Sequence, residues 1–222
     1  MSGLTVGELE RAFREEGSAR APRSCIWNKY KRGEVVPRSR HQGDGRPKLV
    51  ERVEARYPGT EKWLFSPLWR LADQAPMAMS ELRDIYESLP IRLRNLIVLP
   101  SALASDVFWR REFEIQTPVT ELFRFQTVDD LLAGLALLRE AEVCQGHLFY
   151  RYLIEVVKIL LRSIDWEGLE TTSIPSELTN YLHSRWVIAK PILSKDAQEA
   201  LRIWLKELEV NSTTSIYGEL AL

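Results

Sequence analysis

The stretch "TVDDLLAGLALLREAEVC", residues 127–144, constrains the fold more than any other part of the chain. Its apolar residues recur at i, i+3, i+4 and i+7, the period of an α-helix, and do not alternate as they would in a half-buried strand. Thr127 is expected to cap this helix. Asp129 and Asp130 follow in the first turn, where the positive end of the helix dipole favours them and where a solvated setting is expected. The same period runs through "MSELRDIYESL", "RLRNLIVLPSALASDVFWRREF", "GHLFYRYLIEVVKILLRSI", "PSELTNYLHSRWVIA" and "SKDAQEALRIWLKELE", the last with Ser194 as its expected cap. Only "FRFQT" reads as a short strand. The expected fold class is all-α, with a larger helical bundle over residues 76–222.

Ahead of the bundle lies a smaller module, residues 1–70. "TVGELERAFREEG" reads as a short helix from a Thr5 cap to Gly17, with Leu9 and Phe13 on one face. After the small-residue connector "SARAPRS", Ser24 is expected to cap a second helix, Cys25 to Arg32, which Gly33 ends in the left-handed conformation. "RSRHQGDGR" has no periodicity and reads as a loop. "PKLVERVEARYPGT" predicts a third helix with Leu49, Val50, Val53 and Tyr57 on one stripe, closed by Pro58 and Gly59. In "EKWLFSPLWRLAD", Trp63, Phe65 and Trp69 crowd together, and burial at a junction between the two parts is the expectation.

Charge separates the two parts more sharply than composition does. Residues 1–70 hold 15 Lys+Arg against 9 Asp+Glu, a net +6, and the remainder holds 15 against 22, a net −7. Between Arg20 and Arg56 there are 11 Lys+Arg against 4 Asp+Glu. Such an asymmetry points to a basic module for an anionic partner, joined to an acidic body. The two cysteines, Cys25 and Cys144, are too few and too far apart for a disulfide framework or a zinc site of the CxxC kind, so a reduced, cytoplasmic protein is expected. The charged start of the chain and the lack of any apolar run near ~18 residues argue against a membrane partner.

Catalytic signatures are sparse. His41, His147 and His183 lie apart, without the spacing of a metal site, and no Gly-rich phosphate loop or nucleophile elbow occurs. Glu142, Cys144 and His147 are close in sequence, but a helix boundary accounts for them more simply than a thiolate nucleophile. No enzyme activity, catalytic residue, metal or cofactor is expected.

The stretch "WNKYKRGEVVP", residues 27–37, resembles the end of the recognition helix in lambda-repressor-like (XRE or Cro/C1-type) helix-turn-helix DNA-binding domains, whose pattern is close to I-S-x-W-E-x-G-x-x-x-P. Trp27 stands at the buried aliphatic position, Tyr30 at the buried tryptophan, Gly33 at the helix stop and Pro37 at the proline opening the next segment. The resemblance implies a small helix-turn-helix-like module with Ser24 to Arg32 as the recognition helix. Trp27 and Tyr30, three apart, face the small core, which turns Ser24, Cys25, Asn28, Lys29 and Arg32 outward. Asn28 then suits an adenine edge. Lys29, Lys31, Arg32, Arg38 and Arg40 suit phosphates or, for an arginine, a guanine edge, with Arg20 and Arg23 near the start of the helix. The "RSRHQGDGR" loop is a candidate arm along the backbone or into a minor groove. The chain departs from the class where "SARAPRS" replaces a full helix and a tight turn.

The expected function is therefore binding of double-stranded DNA by a transcriptional regulator. Its helical domain beyond about Pro76 is expected to form a homodimer or hold a protein partner. The alternative is a helical interaction protein, antitoxin-like or a phage-defence adaptor, whose basic N-terminus binds a protein or RNA.

Overall fold

The computed structural model describes residues 49–73, 75–99, 116–166, 174–188 and 193–218, together with Glu8, Ala12, Phe13 and Lys29. The chain divides into two compact units, Met1–Ser66 and Pro67–Leu222. The fold is all-α, with no strand among the described residues. In the first unit Glu8, Ala12 and Lys29 are helical, and two helices follow, α1 (Leu49–Arg56) and α2 (Thr60–Leu64). The second unit contains α3 (Leu68–Ala72), α4 (Met79–Ser88), α5 (Ile91–Ile97), α6 (Gln116–Phe125), α7 (Val128–Val143), α8 (His147–Ser163), α9 (Ile174–Ile188) and α10 (Lys195–Gly218).

The second unit is built around α7, which packs against α8, α4, α3 and α6. From Val128 to Ala141 only Asp129 escapes full burial. A helix that is buried all round must be apolar nearly all round, and "LLAGLALL" at its centre is. Gly134 permits a close approach to α8: a Cβ there would lie 3.1 Å from Leu160 Cδ1 and 3.5 Å from Val157 Cγ2. On α8 the apolar positions Tyr152, Leu153, Val156, Val157, Leu160 and Leu161 are all buried. Their i, i+3, i+4 spacing is used inside the unit. Tyr152 packs edge-on against Trp204 of α10, with ring centroids 5.3 Å apart.

The expected caps form where the sequence places them. Thr127 Oγ1 accepts from Asp130 N–H at 3.4 Å, and Asp130 Oδ2 accepts from Thr127 N–H at 2.8 Å, a reciprocal capping box. Ser194 Oγ accepts from Ala197 N–H at 3.3 Å and opens α10, which continues past Glu209 to Gly218.

Four expectations are corrected. "RLRNLIVLPSALASDVFWRREF" is not one helix: α5 ends at Ile97 and Val98 is extended, two residues ahead of Pro100, which disfavours helical backbone at Leu99 and so a continuation of the helix. Residues 100–115 lie outside the described residues. "FRFQT" is not a strand. Val119, Leu122 and Phe123 form a buried helical stripe in α6, Phe125 closes the helix, and Gln126 turns the chain at φ 52°. Asp130 is not solvated but has no exposed surface, because its cap bond folds it back and Arg92 of α5 covers it. Phe65 and Trp69 remain 44% and 43% exposed, against the expected burial of the aromatic cluster. Pro67 divides that cluster between two short helices, whose few turns leave little surface to cover the rings.

Among the described residues no helix is long and apolar enough to cross a membrane.

Candidate functional site

In the first unit the described residues form a small aromatic and polar framework. Val50 of α1 is buried, and Phe13 is buried against Tyr57, ring centroids 6.3 Å apart and tilted by 59°. Arg56, the last residue of α1, holds its guanidinium carbon 5.7 Å from the Phe13 ring centre and 5.8 Å from that of Tyr57. A planar cation on two rings is a packing element as much as a charge. Thus one basic residue of the cluster between Arg20 and Arg56 has an intramolecular role.

The turn from α1 to α2 is held by a single carboxylate. Gly59 adopts φ 90°, a conformation that glycine takes without strain, and carries no side chain to cap α2. Glu54 caps it instead, its Oε1 accepting from Gly59 N–H and its Oε2 from Glu61 N–H, both at 2.7 Å. The Glu61 amide, followed by that of Gly59, holds the Glu54 carboxyl below the usual carboxylate range. Thr60 Oγ1 donates to the Tyr57 carbonyl at 2.7 Å and completes the turn.

Of the residues singled out for DNA contact, Lys29 is described: it is helical and exposed. Arg20, Arg23, Ser24, Asn28, Lys31, Arg32, Arg38 and Arg40 lie outside the described residues, as do Trp27, Tyr30, Gly33 and Pro37.

The polar groups buried in the second unit tie helices together. Asp130 Oδ1 accepts from Arg92 Nη2 at 2.7 Å, while its Oδ2 accepts from both the backbone and the hydroxyl of Thr127 at 2.8 Å. The Arg92 guanidinium also lies 4.6 Å from the Phe125 ring centre. Tyr86 Oη donates to Glu140 Oε2 at 2.6 Å, joining α4 to α7, and both residues are buried. Arg139, also buried, donates to the Ala75 carbonyl at 2.5 Å and pairs with Glu142. The bonds between helices, Arg92 to Asp130, Tyr86 to Glu140 and Arg139 to Ala75, give buried polar groups partners, and the sequence shows no sign of them because those partners are 38 to 64 residues apart.

The cysteine–histidine neighbourhood resolves into helix ends. Cys144 is exposed at the C-cap of α7, Glu142 is drawn to Arg139, and His147 begins α8. Among the described residues no group of three or more His, Cys, Asp or Glu is gathered closely enough to hold a metal ion.

The functional reading therefore rests on the residues themselves: no protein-family profile, no curated protein and no solved structure matches the chain.

Proposed function

We propose that the protein is a cytoplasmic transcriptional regulator that binds double-stranded DNA through its basic N-terminal unit, with Ser24 to Arg32 as the recognition helix. The observation that carries this reading is the concentration of 11 Lys+Arg against 4 Asp+Glu between Arg20 and Arg56, beside an acidic body. Phosphate contacts supply most of a protein's affinity for DNA, and such a cluster supplies them. Two further points support it: Lys29 is exposed on a helix, and the first unit, Met1–Ser66, has the size of a lambda-repressor-like domain. The short helices α1 and α2 follow the recognition segment, where that class places its later helices.

Dimerisation through the second unit completes the reading. Ile203 and Val210, one heptad apart on α10, are 48% and 61% exposed and offer a surface for a second copy.

Fluorescence anisotropy on a labelled duplex at several salt concentrations tests DNA binding. The logarithm of the affinity should fall with the logarithm of salt at a slope of roughly −0.9 for each phosphate neutralised. Lys29→Ala should make that slope shallower by about 1. An Asn28→Ala/Lys29→Ala/Arg32→Ala variant that keeps its circular dichroism should lose specific binding. Absence of duplex binding at low salt would overturn the proposal and turn attention to an RNA or acidic protein partner.

A further inference from the structure

The second unit contains a cavity of about 480 Å³ lined by Trp69, Ala72 and Asp73 of α3 and its C-cap, and by Glu177, Leu178 and Tyr181 of α9. Its walls combine two chemistries. Trp69 and Tyr181 are each 43% exposed. Two carboxylates, Asp73 and Glu177, and the apolar residues Ala72 and Leu178 complete the lining. Rings carry negative potential on their faces and attract cations, and a carboxylate beside them adds a full negative charge.

The two carboxylates are not equivalent. Asp73 Oδ1 accepts from Ala75 N–H at 3.2 Å, and its Oδ2 lies 3.7 Å from Arg70 Nη1. It is partly used to shape the turn after α3. Glu177 is exposed and, among the described residues, has no ion-pair or hydrogen-bond partner. Arg70, the cation beside Asp73, is itself engaged by both oxygens of Glu81 at 3.1 Å and by the Pro76 carbonyl at 2.9 Å.

We propose that this cleft binds an arginine side chain presented by a basic segment of a partner protein. Its planar guanidinium stacks on Trp69 or Tyr181 and pairs with Glu177, while its aliphatic stem lies on Leu178 and Ala72. Arginine fits better than lysine because its flat, weakly hydrated head stacks on a ring and forks onto a carboxylate at once. A protein segment fits better than a lone small cation for two reasons. The cleft exceeds the volume of one guanidinium, and residues 71–222 carry a net −7 that extends the attraction to neighbouring basic residues.

The test uses the full chain and a short alanine–glycine peptide with a central arginine. Binding is followed by isothermal titration and by the indole N–H resonance of Trp69, assigned with Trp69→Phe. Saturable binding with a shift of that resonance is expected. Glu177→Gln and Tyr181→Ala alter exposed positions and should leave the melting temperature unchanged. Each should weaken binding by roughly threefold and the pair by about tenfold. The citrulline peptide, neutral but of the same shape, should not bind. The proposal is overturned if the citrulline peptide binds equally, if the variants bind as the parent does, or if no saturable binding is seen. Free arginine amide binding as tightly as the peptide would overturn the protein-segment assignment.

Discussion

Asp130 and Tyr152 show how much one side chain depends on its surroundings in this fold. Asp130 is fully buried, yet both of its oxygens are satisfied by Arg92 and Thr127. Removing one partner strands a buried acceptor, so Arg92→Ala should cost about 2 kcal/mol in chemical denaturation, with some loss recovered by water because Arg92 is 30% exposed. By contrast Arg202→Ala, which breaks the surface pair with Glu199, should leave stability within error. Burial, and secondarily the charge of Glu207, pushes the Tyr152 phenol up to about 12. A raised phenol value means that the folded state holds the neutral form. The resulting stabilisation is complete below the ordinary phenol value of about 10 and is lost as pH rises through 12. Phenolate absorbance should therefore show a late component in the folded protein, and Tyr152→Phe should diminish it by one tyrosine.

At the level of elements, α7 against α8 is the contact that the rest of the second unit is assembled on. Glycine within a helix ordinarily costs about 1 kcal/mol relative to alanine, so its presence at Gly134 has to be offset by packing. A Cβ there would lie only 3.1 Å from Leu160 Cδ1, so its absence is that offset, letting the two helices close together. Gly134→Val places a branched side chain there and should destabilise by about 1–3 kcal/mol through overpacking, measured as a lowered denaturation midpoint with an unchanged slope. The paired apolar runs of α7 and α8 announce themselves in the sequence because their period is that of a helix. The end of α5 at Val98 does not, since apolar residues continue past it and only Pro100 marks the break. The α6 end at "FRF" misleads for a related reason. Phe123 is buried, whereas Phe125 is 54% exposed with the guanidiniums of Arg92 and Arg124 near its ring, so two apolar residues two apart serve different surroundings.

On the scale of the whole molecule, two compact units of 66 and 156 residues imply two cooperative unfolding events. At ~0.7 kcal/mol per residue their calorimetric enthalpies should be near 45 and 110 kcal/mol. Leu135→Ala, which empties part of the α7 core, should lower only the larger transition, by about 2–5 kcal/mol. The sequence by itself determined the all-α class, the Thr127 and Ser194 caps, the α7 and α8 core faces and the separation of basic from acidic charge, because period, capping and charge are local properties of a chain. Lys29, an exposed helical residue, was likewise readable from its place in a helical pattern. Only the tertiary structure decided that Asp130 is buried under Arg92, that Glu54 caps a helix other than its own, and that Trp69 and Tyr181 share a cleft. The first and last depend on residues distant in sequence meeting in space, and the Glu54 cap on the direction of a turn five to seven residues long, none of which periodicity contains.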